Sequence, residues 1–82
     1  MASSKNDIRM WLDKAARNGA THMLVVVDEG DYEDFPVEIK AGENAAERIE
    51  RINGAKGVRV IECYKMDADL ESQLNERRAY HV

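Results

Sequence analysis

One cysteine, one proline and two histidines are all that the 82 residues contain of the types that staple, break or ligate. The lone Cys63 excludes an internal disulfide and any cysteine-based metal cage within one chain, and it is consistent with a reducing compartment. No apolar run approaches the roughly 18 residues that cross a bilayer, and the N-terminus is polar rather than signal-like. No membrane association is implied, and the expected compartment is the cytoplasm. Repeats, low-complexity tracts and linkers are missing. So are a phosphate-binding loop, a dinucleotide fingerprint, a zinc-binding pair and a serine elbow. A chain this short is expected to fold as one domain, residues 1–82, burying somewhat more than about 60% of its unfolded surface. That is too little for a deep cleft between lobes, so the chain is expected not to be an enzyme, with no catalytic residue, metal ligand or cofactor implied.

What is present is ordinary in amount and unusual in placement. The residues are 44% apolar and 34% charged, as in globular domains and unlike disordered chains. The formal net charge is −4, and nearly all of it comes from the middle. Residues 28–50 hold two Lys/Arg against nine Asp/Glu, whereas residues 1–27 hold four against two and residues 51–82 six against five. Such a field repels nucleic acid and attracts basic surfaces.

Hydrophobic spacing predicts six elements. Ser4 and Asp7 form a capping pair ahead of a helical stripe of Ile8, Trp11, Leu12 and Ala15, and Asn18-Gly19 supplies a left-handed stop, giving a helix over 4–18. The apolar run 22–27 is too short for an independent helix and reads as a central strand covered on both faces. From Phe35 to Lys40 the pattern alternates, with Phe35, Val37 and Ile39 on one face. Pro36 marks this second strand as an edge, because proline cannot donate to a ladder. A second helix over 43–53 carries a stripe of Ala45, Ala46, Ile49 and Ile52. Residues 58–65 form a third strand, and Asp67 is expected to cap a last helix over 67–79 with only Leu70 and Leu74 on its apolar stripe. The predicted class is α+β with element order α-β-β-α-β-α. A crossover that skips one position gives a three-stranded antiparallel sheet of order 2-1-3.

The candidate site is the acidic hairpin: Asp28, Glu29, Asp31, Glu33 and Asp34 fall within seven residues, with Tyr32 among them. A helix-loop-helix calcium site needs oxygen ligands at positions 3 and 5, glycine at 6 and glutamate at 12. Counted from Asp28, those positions hold Gly30, Tyr32, Glu33 and Ile39, so the motif fails and no metal is expected. Paired-carboxylate chemistry needs burial or mutual repulsion to separate the two acidities, which an open turn does not provide. Two readings are left: solvated turn residues, or a recognition surface. In the second, alternate side chains on one strand face recur about every 6.6 Å and present charge to a basic groove, with Tyr32 and Phe35 as aromatic contacts. Cys63 is expected to share a face with Ile61 as a buried structural thiol, because no Cys-His motif accompanies it. His22 is expected to be a hydrogen-bonded histidine at a strand end. The basic C-terminus, Arg77, Arg78, Tyr80 and His81, suits a helix dipole better than a nucleic-acid footprint. The thin stripe of the last helix gains little inside one subunit, which points to a homodimer.

Two stretches, Ala20–Asp28 (ATHMLVVVD) and Asp31–Val37 (DYEDFPV), resemble a group of small proteins encoded by bacteriophages and bacterial genomes. The tail is similar too, at Glu62–Asp67 and Gln73–His81. The likeness covers most of the chain after Gly19 and omits the first helix, and it brings no catalytic residue with it. It implies a phage-type accessory protein acting in the host cytoplasm, in the manner of anti-CRISPR and other anti-defence inhibitors. The function expected on these grounds is a non-enzymatic inhibitor whose acidic hairpin engages a basic surface, that of a nucleic-acid-handling protein complex, without contacting nucleic acid itself. The alternative is a small structural or regulatory homodimer with no inhibitory target.

Overall fold

A computed structural model describes residues 4–76. Six elements follow one another: α1 (Lys5–Arg17), β1 (Ala20–Asp28), β2 (Glu33–Lys40), α2 (Ala45–Asn53), β3 (Val58–Lys65) and α3 (Leu70–Asn75). The sheet has the order β2-β1-β3, and β1 runs antiparallel to both neighbours. The fold is therefore α+β with the predicted topology.

Local chemistry sets the helix ends. Ser4 caps α1 through a reciprocal pair, in which its hydroxyl accepts from the Asp7 amide and the Asp7 carboxylate accepts from the Ser4 amide. Each such cap is worth about 0.5–2 kcal/mol. After α1, Gly19 takes φ +75°, a left-handed turn that a residue with a Cβ enters only at a cost. Asn44 caps α2 from the Glu47 amide. Asp69, not Asp67, caps α3, accepting from the Glu71 and Ser72 amides. The predicted extension of this helix to 79 runs beyond the described residues, as does the basic C-terminus from Arg77 to His81.

Helices cover both faces of the sheet, which is why β1 is apolar on both sides. Beneath α1 and α3, Ile8, Leu12, Ala15, Met23, Val25, Tyr64 and Leu74 form one cluster, with Trp11, Ile61, Met66 and Leu70 packed against it. Beneath α2, Leu24, Val26, Ile39, Ala45, Ile49, Val60 and Cys63 form the other. Ala46, placed on the buried stripe by spacing, is exposed. The narrow stripe of α3 is used within the subunit, since Leu74 is fully buried and Leu70 packs against the same cluster.

Two bulges set which side chain faces which cluster. One inserts Thr21 between the Ala20–Lys40 and His22–Ile39 pairs, and the other falls in β3 between Glu62, opposite Val25, and Val60, opposite Val26. A bulge carries one extra residue and shifts the alternation beyond it. Ile61 is that residue, so it packs under α1 while Cys63 lies under α2. Cys63 is buried as expected, but it does not share a face with Ile61.

Candidate functional site: the acidic hairpin

Strands β1 and β2 are joined by a four-residue turn, 29–32, closed by the Asp28–Glu33 pair. The Tyr32 amide donates to the Asp28 carbonyl at 2.7 Å. Asp28 Oδ1 accepts from the Gly30 amide at 2.8 Å, and Asp31 Oδ1 accepts from the Glu33 amide at 3.0 Å. These are the local turn bonds short acidic side chains favour. A Cβ on residue 30 would meet Asp28 Oδ1 at 3.1 Å, so glycine lets that carboxylate close over the turn. The Glu29 amide donates to the Gly57 carbonyl at 2.7 Å, tying the turn to the approach of β3.

Two of the five carboxylates therefore build the turn, which leaves Glu29, Glu33 and Asp34, the last already engaged within the subunit. They do not form a row on one face. Glu33 shares its side of β2 with Phe35, Val37 and Ile39, whereas Asp34 points to the other side with Pro36, as strand alternation requires. Asp34 is half-buried, and Glu29 and Glu33 are exposed. Among the described residues, no three His, Cys, Asp or Glu side chains are grouped to hold a metal ion.

The aromatic residues stand out more than the charges. Tyr32 occupies the turn's left-handed position, φ +58°, with 66% of its surface exposed. A bulky residue there is a conformational outlier. Its neighbour Phe35 was expected on the core face; it does lie on the side of α2, but on the outer strand, outside the cluster under that helix, and it is 38% exposed.

Beside the hairpin, the outer edge of β2 is blunted. The Met66 amide donates to the Thr21 carbonyl, which turns the backbone of Thr21, Met23 and Val25 toward β3 and that of His22, Leu24 and Val26 toward β2. Asp34, Pro36, Glu38 and Lys40 then face outward. Pro36 has no amide hydrogen, and the Lys40 amide is taken by Glu43 Oε1 at 2.9 Å, so little of this edge can add another strand. Lys40 and Asn18 also hold the Glu38 carboxylate; the hydrogen bond from Lys40 is the main cause of its pKa lying below the ordinary value.

Two polar residues that pattern reading passed over do structural work elsewhere. Gln73 is 4% exposed, and its side-chain amide accepts from the Lys65 amide at 2.7 Å and donates to the Lys65 carbonyl at 2.9 Å, as a neighbouring strand would. Glu62 is 1% exposed and accepts a hydrogen bond from the Tyr64 hydroxyl. The i, i+2 spacing of Glu62 and Tyr64 was a visible signal of a shared face. The contact of Gln73 joins residues eight apart and had no such signal.

No protein-family model, curated protein or solved structure matches this chain. No helix among the described residues is long and apolar enough to cross a membrane.

Proposed function

We propose that the protein is a non-enzymatic binding module whose hairpin, 28–35, docks on a basic surface of another protein. The observation carrying this reading is Tyr32, a large aromatic side chain held exposed in a left-handed position at the tip of an acidic turn. Such a position costs a residue with a Cβ about 1–2 kcal/mol, and two thirds of the residue's surface stays open to a partner. Strained, exposed positions of this kind cluster at recognition sites, and tyrosine is among the residues that dominate interfaces. Phe35 adds apolar surface beside it, and Glu29 and Glu33 add charge that speeds encounter and sets orientation.

In its narrower form the target belongs to a nucleic-acid-handling complex of a bacterial host, and the protein acts as a phage-type anti-defence inhibitor in the host cytoplasm. That form rests on the sequence resemblance alone. The test is a pull-down from bacterial lysate with identification of the retained protein, followed by binding kinetics on the purified pair. Neutralising Glu29 and Glu33 together should slow association and flatten its salt dependence, whereas Tyr32→Ala should chiefly speed dissociation. A partner whose rates are unchanged by both variants at low salt would leave the hairpin a solvated turn.

A further inference from the structure

At the opposite end of β1 from the hairpin lies a cavity of about 370 Å3. Its apolar wall is Ala16, Ala20 and Met66; its polar lining is Thr21, His22, Lys65 and Asp67. The frame is well tied. The Met66 amide donates to the Thr21 carbonyl at 3.0 Å, the Ala68 amide closes a turn on the Lys65 carbonyl, and Gln73 grips the Lys65 backbone from outside.

Hydrogen bonding within this frame assigns the histidine tautomer. Thr21 donates its one hydroxyl hydrogen to the Ile39 carbonyl at 3.2 Å. In the neutral ring His22 Nδ1, 3.1 Å from Thr21 Oγ1, is then the donor of that pair, which makes Nε2 the acceptor. Nε2 is buried and has no partner among the described residues. The Lys65 ammonium and the Asp67 carboxylate are likewise without an ion pair, either with each other or with any other described group. The lining of one cavity thus holds a lysine and an aspartate without an ion pair among the described residues, beside an apolar wall. A ligand with a single charge leaves one of the two ionic groups uncompensated, whereas a zwitterion answers both.

We propose that this cavity binds a free α-amino acid with an apolar side chain. Its carboxylate meets Lys65, its ammonium meets Asp67, and its side chain lies on Ala16, Ala20 and Met66. Lys65 stands opposite His22 in the β1–β3 register, so a ligand held by the lysine is reported by the imidazole ring. Both ionic groups are at least partly solvated, which sets the affinity in the range of about millimolar and the contribution of each ion pair at about fivefold.

The test is a titration of the full chain with L-leucine, followed by NMR of the His22 ring, whose signals are separated from those of His81 by a His81→Gln variant. Comparators are 3-methylbutylamine, which lacks the carboxylate, and 4-methylpentanoate, which lacks the amine. The expected result is a saturable shift of the His22 resonances with leucine at millimolar concentration and binding at least about fivefold weaker for each comparator. Lys65→Met and Asp67→Asn should each weaken leucine to the same degree while leaving the circular dichroism spectrum unchanged. No saturable shift up to tens of millimolar leucine, or equal binding of either comparator, would overturn the proposal, and the comparators decide it even where a variant fails to fold.

Discussion

Replacing Gln73 by alanine should destabilise the protein far more than a polar residue on a six-residue helix would suggest. Its side-chain amide makes two good hydrogen bonds to the backbone of Lys65, at 2.7 and 2.9 Å, and a longer one to the Asp69 carbonyl at 3.3 Å. Each of the two short bonds contributes about 0.5–1.5 kcal/mol net. The Asp69 carbonyl still accepts from the Gln73 backbone amide, so its loss adds little. The expected cost is therefore about 2 kcal/mol, which for a domain of this size lowers Tm by roughly 8–16 °C. Thermal and urea unfolding followed by circular dichroism measure it, and amide hydrogen exchange localises it, because Lys65 should lose protection while Met23 and Val25 keep theirs. Gln73→Glu sharpens the test. A carboxylate can still accept from the Lys65 amide but repels the Lys65 carbonyl, so this variant should be destabilised at neutral pH and recover part of the loss on protonation. If Gln73→Ala shifts stability by less than about 0.5 kcal/mol, the size of an ordinary surface substitution, the reasoning that side-chain amides substitute for a missing strand at this edge fails.

Other expectations follow from single contacts. Leu74→Ala empties a fully buried site under α1 and should cost about 2–5 kcal/mol by denaturant unfolding, whereas Phe35→Ser, on a side chain outside both clusters, should cost less than about 1.5 kcal/mol. Glu71 accepts from Arg9 at 2.6 and 3.1 Å, tying α3 to α1; that hydrogen bond holds its pKa below the ordinary 4.5 and raises that of Arg9. A depressed carboxylate contributes stability that is complete above its unfolded pKa and lost as pH falls through its folded one, so Glu71→Gln should lower Tm slightly at pH 7 and leave it nearly unchanged at the acid end, flattening the acid side of a Tm-against-pH curve below about pH 4.5. Asp31→Ala removes the acceptor of the Glu33 amide and should cost about 0.5–1.5 kcal/mol, with calorimetry against calcium silent before and after.

The chain order of elements, the sheet order and the edge position of β2 could all be read from residue spacing. Each depends on short-range chemistry: the Ser4–Asp7 cap, the valine run of β1, and the missing amide hydrogen of Pro36 act within a few residues of where they stand. The acidic turn was legible for the same reason, as Asp28 and Asp31 bond to backbone two residues away. What only the tertiary structure decided involves groups far apart in sequence or parity set by a single inserted residue. The bulge at Ile61 sends Cys63 and Ile61 to opposite clusters, and nothing in the alternation of β3 marks where one extra residue enters. The start of α3 moved from Asp67 to Asp69 because residues 65–68 are held as a turn by the Lys65 carbonyl and Gln73. Phe35 kept the face its spacing assigned and still remained exposed, because alternation fixes direction while burial depends on whether another element reaches that far. Glu62 and Gln73 are buried for the converse reason: a polar side chain can enter the interior when a partner waits there, and the partner is supplied by the fold rather than by the neighbouring residues.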